Sequence, residues 1–320
     1  SLGWLTEHSS FDLDAQIENR GSQTTDLEAL ETTRVNVDTD DRELNATWSH
    51  QATERLGATL SGAYLDVDYS ETRTNGLQDF SNASLSATGT YAVSARDSLS
   101  LTVFASRFDA PESVFERLDA VGSGSRTISE SETETLGLQV GYGRALSETL
   151  FASASVGPRR SDVSARTTFI PVAFGVPFPA LGGTSEVDDT VYGLTVNASL
   201  EQDLETLSWS ASFSRTLSPT ADGREVERDA LRLDARRNFS RRLSARVGLL
   251  YRNSVELGDD TEDEDTFARL QAGVRWRLAE HWFVDGLIRM RRIDRENADD
   301  DAESEAFQLT LSYRGDKWLL

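Results

Sequence analysis

Arginine is the residue of this chain best placed to do chemistry: of its 32 basic residues, all but Lys317 are arginine. Ten of them, Arg232, Arg236, Arg246, Arg252, Arg269, Arg275, Arg277, Arg289, Arg291 and Arg314, stand at even spacings inside alternating segments. Even spacing puts side chains on one face of an extended strand. A guanidinium is always charged and presents forked donors to carboxylates and phosphates. A wall of them can steer anionic or dipolar solutes through a wet passage, or pair with acids in a bracing network. Asp12, Asp14 and Glu18 share one parity of the first alternating segment and, with Asp234 and Asp285, are the candidate counter-charges.

Other chemistries find less support. His8, His50 and His281 have no evident nucleophile and orienting acid at the same height, and GxSxG, HExxH and Walker-type strings are absent. No enzyme activity and no cofactor are expected. The absence of cysteine removes thiol catalysis, disulfide scaffolds and CxxC metal sites. A net charge of -22 argues against nucleic acid as a partner, which needs a basic footprint. The acidic runs 259–265 and 299–305 supply Asp259, Asp260, Asp263, Asp299, Asp300 and Asp301 as weak candidate ligands for a hard cation. They lack EF-hand spacing and read first as solvated loops, with divalent bridging to lipopolysaccharide phosphates as an intermediate role.

The elements that must hold the arginines alternate with period two, as in Phe307-Gln-Leu-Thr-Leu-Ser-Tyr313. About fourteen such segments follow one another: 10–19, 42–52, 56–69, 80–93, 98–108, 133–145, 149–160, 189–202, 206–217, 227–239, 243–255, 266–278, 282–294 and 305–316. No apolar run approaches the ~20 residues of a membrane helix, whereas a tilted strand crosses a bilayer in ~9–11. Short turns near 53–55, 95–97, 147–149, 203–205, 240–242 and 279–281 alternate with longer polar loops, including 109–132 and 161–188. Trp48, Tyr64, Tyr91, Tyr142, Tyr192, Trp209, Tyr251, Trp276, Trp282 and Tyr313 fall on the apolar parity, as interfacial girdles require. The opposite parity holds Ser, Thr, Asn, Gln and Arg, which could not fill the core of the rival architecture, a pair of β-sandwiches.

The reading is therefore all-β: residues 1–320 form a single antiparallel up-and-down transmembrane β-barrel of about 14 strands. It has short periplasmic turns, long acidic external loops and both termini periplasmic. An arginine facing lipid near mid-membrane costs ~2–4 kcal/mol, so the ten belong to the lumen or a rim. Closure would bring the acidic first strand beside the last. One long loop, 168–181, is apolar and proline-rich; Phe169, Ile170, Phe174, Phe178 and Leu181 would form a constriction, cover the mouth or dock a partner protein.

The hairpin Arg55-Leu-Gly-Ala-Thr-Leu-Ser-Gly-Ala-Tyr64, the string Asp68-Tyr-Ser-Glu-Thr72 and the end Leu309-Thr-Leu-Ser-Tyr-Arg314 resemble the β-barrel porin family of proteobacterial outer membranes. The likeness runs over most of 42–316 and is specific to architecture. It implies the outer membrane of a Gram-negative bacterium, with lipid and lipopolysaccharide around the barrel. It also implies a porin-like or secretion-associated role, without identifying a substrate. The arginine wall and the apolar loop carry the rest of the reading: a narrow porin-like channel for small or anionic solutes, or else a structural barrel that holds an export, exopolysaccharide or electron-transfer partner at 161–188 or in the lumen.

Overall fold

The computed structural model describes residues 2–21, 38–70, 77–118, 123–220, 224–256, 264–295 and 302–313. They form one antiparallel sheet of sixteen strands in chain order. These are β1 (Leu2–Leu5), β2 (Ser9–Gly21), β3 (Asp38–Gln51), β4 (Leu56–Tyr69), β5 (Phe80–Ala92), β6 (Asp97–Leu118), β7 (Gly124–Ala145), β8 (Leu150–Ala173), β9 (Val176–Pro177), β10 (Gly183–Asp203), β11 (Leu207–Pro219), β12 (Glu225–Asn238), β13 (Leu243–Glu256), β14 (Glu264–Arg277), β15 (Trp282–Arg295) and β16 (Ala302–Tyr313). The count is sixteen rather than fourteen: β1 pairs with β2, and β9 folds back only onto β8. Among the described residues no ladder joins β16 to β1 or β2.

The short turns form because a hydroxyl replaces part of the ladder. Ser94 Oγ accepts the backbone N–H groups of Arg96 and Asp97 at 3.0 Å each, and Ser240 Oγ those of Arg242 and Leu243 at 3.1 Å each. Both hairpins are thereby held at their tight ends.

The register separates two faces. On the outer face of β7 stand Tyr142, Val140, Leu138 and Leu136, followed by Glu134, Glu132 and Glu130. On β16 the same order runs Tyr313, Leu311, Leu309 and Phe307, then Glu305 and Glu303. About eight residues of a strand tilted by ~40° cover ~20 Å, close to the apolar band of an outer-membrane barrel. Above that band the outer face carries a collar of ion pairs, including Arg42 with Asp66 at 3.0 Å, Arg107 with Glu132 at 2.7 Å and Arg160 with Asp162 at 2.8 Å. The inner face is the covered one: Ser161 is 0% and Thr135 5% exposed, whereas outward Leu136 is 60% exposed. Inner hydroxyls pair across strands, Thr88 with Thr102 at 2.9 Å and Ser153 with Ser199 at 2.8 Å.

Two expected loops are largely sheet. β6, β7, β8 and β10 run 22, 22, 24 and 21 residues, against 12–14 for the other long strands. Most of 109–132 and 161–188 therefore stands as tall hairpins, with one register shift between Ala110 and Ser113 around Pro111. The apolar segment 168–181 is likewise no loop from end to end. It completes β8, turns at Phe174 (φ 53°) and Gly175 (φ 74°), returns as β9 and passes through a 3-10 turn at Pro179–Leu181.

Candidate functional site

The inner face is a single surface because the ladders put even residues of β12 opposite even residues of β13, and those opposite odd residues of β14 and β15. Arg236 is opposite Arg246, Arg252 opposite Phe267, Arg269 opposite Arg291, Gln271 opposite Arg289, Arg275 opposite Asp285, and Arg277 opposite Phe283. Arg232 faces Ser212 and Leu250. Nine of the ten arginines singled out above thus share one face; Arg314 lies outside the described residues. Asp12, Asp14 and Glu18 are on the same face of β2, opposite Thr47, Asn45 and Asp41. Asp259, Asp260, Asp263, Asp299, Asp300 and Asp301 also lie outside the described residues.

Burial divides the arginines, and Arg277, at the short-turn end, is half-buried. Arg232, Arg236, Arg246 and Arg275 are exposed; Arg252, Arg269, Arg289 and Arg291, nearer the long-hairpin end, are half-buried. Arg275 donates to Asp285 at 2.6 Å, a cross-strand pair of the bracing kind. Near the short turns a cavity of about 1110 Å³ has Arg236 and Arg246 on one side and Glu201 and Asp203 on another.

Toward the long hairpins lies a second constellation that the sequence reading did not contain. The β10–β11 ladder ends at Val196 and Arg215, although both strands continue. Past that point Arg159 of β8 donates to Glu227 of β12. In sheet order β8 and β12 are three ladder spacings apart, ~14 Å in a regular sheet, too far for two side chains to span without bringing the strands together. The far end of the β11–β12 hairpin has therefore turned in from the wall and rests against the inner face of β7 and β8. Glu225 and Val226 are buried there with Arg159, Thr133 and Ser161. Gly193, opposite Arg159, makes the contact possible: a Cβ on it would sit 2.7 Å from the guanidinium that crosses β10 at that point. Glu227 is shared with Arg215, which also holds Asp229 at 2.6 Å.

Glu225 lies beyond Leu231, the last apolar outward residue of its strand, and so outside the apolar band. Burial pushes its carboxyl up to about 7, against the opposing influence of the Arg159 charge and a hydrogen bond with Thr133. Its Oε2 is buried without a partner. The hairpin seat thus holds one carboxyl that prefers to be neutral beside one, Glu227, that is ion-paired.

At the tip of the tall β8–β10 hairpin Phe169, Phe174, Phe178 and Leu181 are exposed and Ile170 is half-buried. Ser9 and His50, direct ladder partners, share a hydrogen bond of 2.8 Å through Nδ1, with Trp48 stacked on the imidazole. A catalytic Ser–His pair with an orienting acid would use Nε2 for the serine and Nδ1 for the acid, so this pairing does not have triad geometry.

No protein-family model matches the sequence, and no curated protein does. Among solved structures the chain is similar to the copper transporter OprC, with a TM-score of 0.52 at 11% identity over 96% of this chain and 62% of that one. It is similar also to the ferric yersiniabactin uptake receptor FyuA from Yersinia pestis, with a TM-score of 0.51 at 14% identity over 92% and 50%. The chain spans from half to less than two thirds of the length of these proteins. The likeness shows the fold, the antiparallel sheet of Gram-negative outer-membrane β-barrel proteins, at a level coarser than the porin family whose strings the sequence resembles.

Proposed function

We propose that this chain is an outer-membrane β-barrel of a Gram-negative bacterium that passes small, mainly anionic solutes through an arginine-lined lumen, with both termini periplasmic and lipid and lipopolysaccharide around it. The observation that carries the reading is the register. One sheet face presents an apolar band bounded by aromatic side chains and a charged collar, while the other gathers nine arginines among hydroxyls. On this reading β2 and β16 close the wall, the concave face is the passage, and the clasped β11–β12 hairpin narrows its outer mouth. We assign it no catalytic role.

Conductance of the purified protein in planar bilayers under a salt gradient tests the proposal. The expected result is a steady conductance with a reversal potential favouring anions, shifted toward cations in Arg275→Gln with Arg289→Gln. Insertion without conductance, or selectivity unmoved by both substitutions, would overturn it. The exposed apolar tip at Phe169, Phe174 and Phe178 favours a second reading, a barrel that holds a partner protein. A stoichiometric protein that co-purifies in mild detergent and is lost on deletion of 168–181 would favour that reading.

A further inference from the structure

The inner face treats its arginines unequally. Arg275 is occupied by Asp285, and Arg159 by Glu227. Arg236 and Arg246 stand directly opposite one another on β12 and β13, so their Cα atoms are ~4.5–5.5 Å apart, yet neither makes an ion pair with a carboxylate among the described residues. Like charges directly opposite in a ladder destabilise it. The nearest acid on the same strand, Asp234, is turned instead toward Gly248, where it shares the space over the glycine with Gln271.

The two guanidiniums border a cleft of about 110 Å³, together with Ser244, Gly273, Arg275 and Asp285. At ~30 Å³ per water, that volume is the size of a small oxyanion rather than of one water. Gly273 gives Arg246 its place: a Cβ there would lie 3.0 Å from Nε and 3.3 Å from Cγ. Three guanidiniums and one carboxylate border the cleft itself, and Glu201 and Asp203 stand across the larger cavity onto which Arg236 and Arg246 also open.

We infer that Arg236 and Arg246 form a binding site for a tetrahedral oxyanion, the phosphate group of a small phosphorylated solute or free phosphate, near the short-turn end of the inner face. Forked donors from two strands match such an anion bidentately, and the bound charge relieves the repulsion between them. The site deepens the channel reading and rests on it for its place along a solute path, but binding itself does not require conduction.

Equilibrium binding of inorganic phosphate to the detergent-purified full chain, at low ionic strength, tests the inference. Saturable binding is expected, weakened about tenfold by Arg236→Gln or Arg246→Gln and abolished by the pair. Arg237→Gln, on the outer face, leaves it unchanged. In phosphate-free buffer the single variants are expected to melt no lower than the parent, because repulsion is removed, and phosphate is expected to raise the melting temperature of the parent but not of the double variant. Absence of binding by the folded parent, or binding unaffected in the double variant, would overturn the site. Phosphate binding without conductance would leave the site standing and remove the channel; conductance without phosphate binding would do the reverse. Glucose 6-phosphate and free phosphate, compared in competition, distinguish the two sources of the anion.

Discussion

The tall strands β6–β8 and β10 and the arginine sector β12–β15 use the same side chain for opposite ends. In the tall sector Arg159 is 3% exposed and committed to Glu227 across strands that are not neighbours, in a wall lined with hydroxyls and with buried Phe108 and Val163. In the arginine sector Arg236 and Arg246 are exposed, opposite one another and ion-paired with no carboxylate among the described residues. A buried guanidinium fixes shape because leaving it or its partner unpaired is costly. An exposed, uncompensated one adds little to stability and keeps its charge available to a solute. Position along the sheet, not residue type, separates a clasp from a lining.

The comparison breaks most sharply at Arg159. Arg159→Ala empties the hairpin seat and leaves Glu227 with Arg215 alone, and ~2 kcal/mol of local stability is expected to go with it. Hydrogen exchange across 215–220 and 224–229 would rise and protease would cut there first, while Arg246→Ala changes neither; equal protection in both variants would mean that the two arginines do not differ in role.

Acidity sharpens the same contrast. Glu225 is raised from 4.5 to about 7 in the folded chain, so the native state holds its proton more tightly than the unfolded one. The seat, with Arg159 and Glu227 beside it, is then most stable below about pH 4.5 and loses up to ~3 kcal/mol as pH climbs through 7. Glu225→Gln is expected to flatten that profile between pH 5 and 8, as read by exchange of the 215–220 and 224–229 amides, with the arginine sector unaffected. A profile that persists in the glutamine variant would assign the titration to another group.

Gly193→Ala gives the smallest effect, ~1–2 kcal/mol, because its Cβ would press on the flexible end of Arg159 rather than on backbone. Partial loosening of the same segment, less than in Arg159→Ala, is the expected exchange pattern.

Much of this architecture is legible in the sequence. Period two marked the strands wherever one face meets an apolar band, as from Tyr142 to Leu136, and hydroxyls and charges marked the turns at Ser94 and Ser240. The shared face of nine arginines also followed from spacing. The tall upper parts of β6–β8 and β10 give no strand signal because above the band both faces are largely polar: Arg166 meets Glu186 on the outside at 3.4 Å while Ser161 meets Thr135 within at 2.8 Å. Alternation between two polar faces leaves no hydrophobic signal. β9 was hidden for another reason, since its ladder to β8 depends on a turn at Phe174–Gly175 within a proline-rich stretch.

What the sequence determined by itself is the set of local choices: strand or turn, inward or outward, charged or apolar, each fixed by a side chain and its neighbours two residues away. What only the tertiary structure decided is which arginines find acids. The pairing of Arg159 with Glu227 joins residues 68 apart in the chain and three ladders apart in the sheet. It exists because β10 and β11 part company at Val196 and Arg215 and the next hairpin turns inward. No alternation encodes that bend; it depends on where the ladder between β10 and β11 stops and on the hairpin beyond it finding a seat on β8.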